Sequence, residues 1–278
     1  MAGRLEGKVA LVSGGARGQG RSHALRLAEE GADIITFDVV APIDGVEYPA
    51  PTAEDLAETV AQVEALDRRI VARTADVRDW AAVKAVVDEG VAELGGRLDV
   101  VSASAGIFTF GTPAVEESEE SWDTMLDINL KGVWRTVKAA APHMIEAGNG
   151  GSVVLTSSTA GLQGTANVGS YTAAKHGVVG LMRTLALELG THRIRVNTVH
   201  PTAVSTPMVL NDALYRLFAP DLENPTEDVF RERIEALHAL PVSAVEPVDI
   251  SNAIVWLSSE EARYVTGTEI KVDAGFTL

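Results

Sequence analysis

An apolar run near the N-terminus of the chain leads into a glycine-rich turn and then into a helical pattern. The run is Lys8 to Ser13, and the helical pattern that follows stops at Gly31. Between them stand Gly14, Gly18 and Gly20, in the spacing G-x-x-x-G-x-G. Glycines allow a backbone to approach a pyrophosphate closely, and the free amides of a helix N-terminus attract its charge. Because a tight turn without a ligand needs fewer glycines, the pattern predicts a dinucleotide-binding α/β fold.

Strand-like and helix-like patterns alternate along the rest of the chain. Such alternation predicts a parallel sheet with helices on both faces, here a Rossmann-type, doubly wound, seven-stranded sheet. At 278 residues the chain suits one domain, 1–278. Strands are predicted near 8–13, 33–38, 69–74, 98–103, 151–157, 194–199 and 268–272. Helices are predicted near 19–30, 53–66, 79–94, 119–147, 170–189 and 247–258.

Three long connections interrupt this alternation, at residues 39–52, 106–118 and 202–246. The third is the longest and has helical pieces of its own, and connections of that length are often functional lids. Its first half is rich in apolar side chains, some of which are expected to pack on the sheet. The others, with Ile107, Phe108 and Leu162, predict a mostly apolar substrate pocket. These apolar lid residues are Met208, Val209, Leu210, Leu214, Tyr215, Leu217 and Phe218.

Charge and composition exclude several classes of function. The chain has 23 basic and 39 acidic residues, a net charge of −16, which argues against nucleic-acid and anionic-membrane partners. It has no cysteine, hence no disulfide or thiolate metal site. His192 follows Glu188 by four residues without an H-E-x-x-H context, so no metal site is predicted. With no apolar stretch near the roughly 18 residues of a membrane span and no signal peptide, a cytoplasmic location is expected.

The most informative pair of side chains is Tyr171 and Lys175. Residues four apart share a helix face, so the phenol and the ammonium can point at one place. A nearby cation favours phenolate, lowers the pKa of a tyrosine and makes it a usable acid or base. Alone, this spacing more often marks a solvated helix face. Beside the glycine-rich turn, it predicts a catalytic pair.

With these motifs the chain resembles the short-chain dehydrogenase/reductase family over nearly its whole length. Ser158 stands thirteen residues before the tyrosine, and Asn129 opens an N-x-x-G turn, as in that family. The resemblance implies that Tyr171 takes the alcohol proton while Ser158 binds the substrate oxygen. It also implies that Lys175 lowers the tyrosine pKa and binds the ribose, and that Asn129 positions a water linking Lys175 to solvent.

The resemblance further implies a nicotinamide cofactor, and Asp38 bears on which one. A carboxylate at the end of the second strand can accept both ribose hydroxyls and would repel a 2′-phosphate, which favours NAD over NADP. Arg17 favours NADP instead, because basic residues at this position often accompany NADP preference in the family, but an arginine in this loop can lie in solvent. The predicted cofactor residues are Gly14, Ala16, Arg17, Gly18, Gln19, Gly20, Asp38, Asp76, Val77, Ser104, Ala105, Gly106, Tyr171, Lys175, Pro201, Val204, Thr206 and Met208.

Two positions depart from the family pattern. Ser104 replaces the asparagine of N-A-G, which would weaken a structural link or leave it bridged by water. Thr202 replaces the glycine that usually follows Pro201, and we interpret it as a tolerated loop residue.

In its details the sequence is similar to the carveol-dehydrogenase-like, mycofactocin-associated subgroup. That similarity implies an NAD-dependent dehydrogenase of hydrophobic secondary alcohols, cyclic or terpenoid, such as carveol. It also implies a homotetramer and an external redox carrier. The insertion at 39–52 could retain NAD, or it could be surface decoration. An NADPH-dependent ketone reductase and a non-catalytic NAD-binding sensor remain the alternative functions.

Overall fold

A computed structural model describes residues 3–278 and has one parallel sheet of seven strands. The strand order is β3-β2-β1-β4-β5-β6-β7. The first three strands are added toward one edge of the sheet and the last four toward the other, so the order reverses between β1 and β4. The predicted fold class is confirmed. The strands are β1 (Val9–Ser13), β2 (Asp33–Asp38), β3 (Ile70–Thr74), β4 (Val100–Ala103), β5 (Gly151–Thr156), β6 (Ile194–Pro201) and β7 (Glu269–Val272).

Nine α-helices connect or flank these strands in residues 3–278, and two of them lie inside the predicted lid. They are α1 (Gly18–Glu29), α2 (Ala53–Glu64), α3 (Trp80–Glu93), α4 (Glu119–Leu126), α5 (Val133–Ala147), α6 (Gly169–Gly190), α7 (Asp212–Phe218), α8 (Glu227–Glu235) and α9 (Pro247–Ser258). None of the helices in this described part is long and apolar enough to cross a membrane.

Alternate residues of each strand point to opposite faces of the sheet, and this divides the core in two. On β1, Leu11 joins the cluster on the face covered by α3, α5 and α6, whereas Val12 joins the cluster under α1 and α9. Both side chains are fully buried. Strands buried on both faces need continuous apolar runs, which is why Val9–Ser13 could be predicted as a central strand.

The predicted helix at 119–147 is interrupted by a π-helical turn, Asp127–Gly132, that separates α4 from α5. A π turn inserts one extra residue per turn, and its signature is not an apolar period. Asn129 lies inside this turn and is fully buried. The turn thus aims a polar side chain at the sheet from within an otherwise regular helix.

The segment 202–246 has a small core of its own. Leu214 and Tyr215 of α7 pack against Phe230 and Ile234 of α8, and all four are buried. The predicted apolar face of α7 is therefore used mainly for packing within the segment. Residues 202–246 contain no sheet strand, and their role as a substrate lid stays a prediction.

His23 is a fully buried histidine between α1 and α9. Its Nδ1 lies 2.8 Å from the hydroxyl oxygen of Ser251, and its Nε2 has no hydrogen-bond partner within residues 3–278. Burial lowers the pKa of His23 from 6.5 to about 3. The imidazole is therefore neutral in the folded protein at neutral pH, and protonating it would place a charge in the buried core.

We expect His23 to make the protein acid-sensitive. Between pH 6.5 and about 3 the unfolded chain binds a proton at His23 that the folded chain does not, so stability falls as the pH falls. From pH 7 to pH 5 this loss is about 2 kcal/mol. Urea unfolding of wild type and His23→Asn at both pH values measures it. Equal losses in the two proteins would contradict the assignment.

Candidate active site and nucleotide cleft

A cleft of about 220 Å³ lies at the carboxyl ends of the strands, where the strand order reverses, and is partly open to solvent. Such switch points are where ligands bind in open parallel sheets. The glycine-rich turn forms its floor. Its walls come from the ends of β2, β3 and β4, the insertion at 39–52 and the segment Thr206–Met208.

Close backbone packing explains the glycines of the turn. Gly14 has a positive φ of 78°, and a Cβ there would lie 2.8 Å from Cα of Ala105. A Cβ on Gly20 would lie 2.0 Å from the carbonyl oxygen of Gly14. Larger residues would therefore separate β1 from β4 and lift α1 away from the turn.

The N-terminus of α1 has free backbone amides that suit a pyrophosphate. Arg17 is the N-cap residue but caps no backbone amide with its side chain. Gln19 also lines the cleft; its buried Oε1 has no partner in the described part of the chain and, as an acceptor, suits a hydroxyl and not a phosphate oxygen. The amides of a helix's first turn favour anions. The residues present therefore fit the diphosphate of a dinucleotide.

Asp38 lines the cleft at the end of β2, where it was predicted. One carboxylate oxygen accepts a hydrogen bond from the amide of Ala16 at 3.0 Å, and the other from the amide of Val39 at 2.8 Å. Burial raises the pKa of Asp38, and these bonds and the charge of Arg17 oppose that rise. The carboxylate is thus held in place beside the turn.

Arg17 is turned toward the insertion. Its guanidinium donates a hydrogen bond to the carbonyl of Pro49. Asp76 and Val77, predicted to hold adenine, line the cleft beyond β3, and Asp76 pairs with Arg78 at 2.6 Å. This part of the cleft therefore combines the Asp38 carboxylate with apolar walls.

The Ser158 side chain lies near enough to the Tyr171 phenol to act on its pKa, so the two predicted catalytic hydroxyls come close together. The ammonium of Lys175 lies 5.5 Å from the centre of the Tyr171 ring and donates to the carbonyl of Thr156 at 2.9 Å. All three side chains lie where β5 and α6 meet. The geometry can polarise a substrate hydroxyl and receive its proton.

Asn129, the fourth predicted catalytic residue, approaches the other three from the π turn. Its Nδ2 donates to the carbonyl of Ile107 at 2.7 Å, and its Oδ1 accepts from the amide of Ile107 at 2.8 Å. A Cβ on Gly106 would lie 2.9 Å from this Oδ1. Asn129 thus fixes the loop after β4, and its role toward a water stays a prediction.

The predicted lowering of the Tyr171 pKa by Lys175 stays a prediction. Burial raises the pKa of Tyr171, and the Ser158 side chain opposes that rise. Lys175 is also buried, which lowers its own pKa to about 8. Spacing on a helix brings the two groups near each other, and burial then acts on the pKa of each.

The two departures from the family pattern have partners in the structure. The hydroxyl of Ser104 lies 3.0 Å from the hydroxyl of Thr156, so it links the end of β4 to β5 directly. The hydroxyl oxygen of Thr202 lies 2.7 Å from Nε2 of His238. That hydroxyl ties the end of β6 to the segment after α8, a role beyond that of a tolerated loop residue.

Five predicted cofactor residues do not line the cleft with their side chains: the catalytic Tyr171 and Lys175, and Ala16, Pro201 and Val204. Ala16 is buried, although its amide holds Asp38. Pro201 is buried at the end of β6, beside Val272 of β7. Val204 packs into the core under α1 and α9 because it pairs with Val245. Only backbone groups of Pro201 and Val204 can serve a cofactor, whereas the predicted Thr206 and Met208 do line the cleft.

The insertion at 39–52 connects the nucleotide cleft to the catalytic residues, which the sequence did not reveal. The amide of Phe108 donates to the hydroxyl oxygen of Tyr48 at 3.3 Å, and Tyr48 is buried. Burial raises the pKa of Tyr48 to about 12. Phe108 packs edge-on against Tyr171, with 4.6 Å between ring centres. One signal was present: Tyr48 is one of only four tyrosines, and it stands in a Pro-containing loop.

Known proteins share both this sequence and this structure. A family model described as enoyl-(acyl carrier protein) reductase matches residues 14–277. A Mycolicibacterium smegmatis protein named as a short-chain type dehydrogenase/reductase is 60% identical, with 100% of each chain covered. The chain belongs to the short-chain dehydrogenase/reductase family. This membership confirms the resemblance drawn from Tyr171, Lys175 and the glycine-rich turn.

Two further members carry more specific names. The (-)-trans-carveol dehydrogenase of Rhodococcus erythropolis is 54% identical, with 99% of each chain covered. A crystal structure of carveol dehydrogenase from Mycobacterium avium in complex with NAD is 56% identical. It covers 99% of each chain with a TM-score of 0.97. The predicted similarity to carveol dehydrogenases is confirmed, and the link to mycofactocin stays a prediction.

Replacing Asp38 tests cofactor choice. We expect Asp38→Ala to weaken NAD binding by about 10- to 100-fold, because charge-assisted hydrogen bonds to a ribose are lost. Binding of NADP should weaken less, since the repulsion is also lost. Fluorescence titration measures both, and mass spectrometry of the denatured wild type identifies the carried nucleotide.

Asp33→Ala, at the opposite end of β2, is the matched control and should bind NAD normally. A wild type that prefers NADP would show that Arg17 outweighs Asp38.

Proposed function

We propose that this chain oxidises hydrophobic secondary alcohols, cyclic or terpenoid, to ketones with NAD. One observation carries the proposal: the Tyr171 phenol lies near the Ser158 side chain while its ring packs against Phe108, beside the nucleotide cleft. A proton acceptor that lies between a hydroxyl and an aromatic ring suits an alcohol with an apolar body.

The chain is an NAD-dependent alcohol dehydrogenase. Asp38 at the end of β2, the free amides at the head of α1 and the NAD-bound relative all agree on this. When bound, NAD supplies the acceptor for the hydride that leaves the alcohol carbon. The remaining chemistry belongs to side chains of the chain itself.

Each catalytic side chain has one proposed task. Ser158 donates a hydrogen bond to the alcohol oxygen and holds it near the tyrosine. Tyr171 takes the hydroxyl proton, which leaves a ketone once the hydride has gone. The Lys175 ammonium stabilises the phenolate that begins this step, and its bond to Thr156 keeps it at the right distance. Asn129 holds the loop that forms the neighbouring wall.

An apolar substrate is supported by the walls beside Tyr171. Phe108 and Phe110 lie 5.1 Å apart between ring centres, and Met208 lines the adjoining cleft. These groups offer no charge to a carboxylate or phosphate on the substrate. The names of the carveol dehydrogenases point in the same direction.

The insertion supports a second part of the proposal, tight retention of NAD. Residues 39–52 border the cleft and are attached at two points, through Pro49 to Arg17 and through Tyr48 to Phe108. An enzyme that retains its nicotinamide needs a carrier to remove the electrons, so an external redox carrier fits this geometry. The homotetramer and the cytoplasmic location stay predictions.

Tyr171→Phe tests the mechanism. The variant keeps the ring against Phe108 but lacks the oxygen that receives the proton, so turnover should fall by orders of magnitude while NAD still binds. Steady-state oxidation and NAD titration measure the two quantities. Tyr264→Phe is the control, since Tyr264 is 89% exposed and should keep full activity. Near-normal turnover of Tyr171→Phe would refute the mechanism.

Phe108→Ala tests the substrate class. We expect wild type to favour cyclic alcohols over short hydroxy acids in kcat/KM, and Phe108→Ala to lose about 10-fold or more for cyclic alcohols, because a large aromatic contact is lost. The loss for 2-propanol should be smaller. Preference for charged hydroxy acids would contradict the apolar pocket. No turnover of any alcohol, with NAD bound, would favour a sensor.

A further inference from the structure

His200 is a buried imidazole that lies directly behind the catalytic serine. It is on β6 and fully buried. Its Nδ1 lies 2.8 Å from the backbone carbonyl oxygen of Ser158, and its Nε2 lies 2.8 Å from the hydroxyl oxygen of Thr198. Both ring nitrogens are therefore engaged, one with the active-site loop and one with its own strand.

The contact with Ser158 fixes the position of the Nδ1 proton. A carbonyl oxygen only accepts hydrogen bonds, so Nδ1 carries the proton and donates to Ser158. Nε2 can then accept from the hydroxyl of Thr198, and the imidazole is neutral. Burial lowers the pKa of His200, and the bond to Ser158 and the charge of Glu269 oppose this, whereas Lys175 and Lys271 add to it. A neutral ring also avoids a second cation beside Lys175.

Ser158 has little support from regular structure, because it lies between the end of β5 and a short 3-10 turn, Thr159–Gly161. Local contacts come from that turn: the carbonyl of Ser158 accepts from Gly161 at 2.9 Å, and its hydroxyl oxygen accepts from the amide of Ala160 at 3.1 Å. The His200 contact comes from a neighbouring strand instead. It ties the serine to the sheet and not only to its own loop.

We propose that His200 is a positioning residue that orients Ser158 toward the alcohol oxygen through its hydrogen bond to the serine carbonyl. The inference rests on the proposed function, in which Ser158 binds that oxygen. A serine hydroxyl displaced by a fraction of an ångström still binds a substrate but no longer aligns it with Tyr171. Loss of the bond should therefore lower kcat more than it raises KM.

A pair of variants separates positioning from packing. Asparagine places its side-chain nitrogen where the imidazole has Nδ1, two bonds from Cβ, and can donate to the same carbonyl. Leucine has nearly the same size and shape but no donor. His200→Asn and His200→Leu therefore leave similar cavities and differ in the one hydrogen bond. Any loss common to both reports packing.

The experiment measures kcat, KM and the NAD dissociation constant for a cyclic alcohol, with the C–H and C–D substrates compared. We expect His200→Leu to lose about 10-fold or more in kcat and to show a larger deuterium effect, because the hydride step becomes slower. His200→Asn should recover most of that loss. All three proteins should bind NAD equally. Equal kcat in the two variants, whether normal or low, would overturn the proposal.

A measurement on wild type covers the case in which the leucine variant does not fold. Two-bond ¹H–¹⁵N spectra of histidine-labelled protein should show His200 as a neutral imidazole with its proton on Nδ1. A proton on Nε2 or a charged ring for His200, assigned by its loss in His200→Asn, would overturn the proposal. If wild type itself oxidises no alcohol, the proposed function fails; the spectrum still tests the hydrogen bond on which the His200 proposal depends.

Discussion

The close approach of β1 and β4 at their carboxyl ends is the constraint on which the site depends. The hydroxyl oxygen of Ser13 accepts from the amides of Ser104 and Ala105, at 3.1 and 3.2 Å. Gly14 follows and has no room for a Cβ against Ala105. Because two strand ends meet without intervening side chains, one side has space for a nucleotide and the other can present catalytic groups.

Much of the fold could be predicted from the sequence, because it rests on local patterns. Buried strands such as Val9–Ser13 are continuous apolar runs, and Gly14 marks a turn that few other residues can form. The π turn around Asn129 could not be predicted, since one extra residue in a helix leaves the apolar pattern nearly unchanged. Tyr171 and Lys175 could be predicted from their spacing, whereas Ser158 and Asn129 were predictable only through family resemblance.

Contacts between distant segments account for most of the rest. Tyr48 and Phe108 are sixty residues apart, and His200 and Ser158 forty-two, so no spacing rule links them. Burial is equally invisible: a lysine one turn from Tyr171 predicts a lowered tyrosine pKa, and nothing in that spacing shows that burial acts to raise it. The sequence identifies which groups meet on one helix, whereas the packing of separate elements decides how they are charged.

The two attachments of the insertion have a kinetic consequence. Residues 39–52 can swing away from the cleft only when the Tyr48–Phe108 bond breaks, and Phe108 also packs against Tyr171. A ketone product that rests against Phe108 would keep that bond closed. Product would then depart before the dinucleotide, and saturating product would slow nucleotide exchange. The order of dissociation would thus follow from a single backbone amide at the junction of two binding sites.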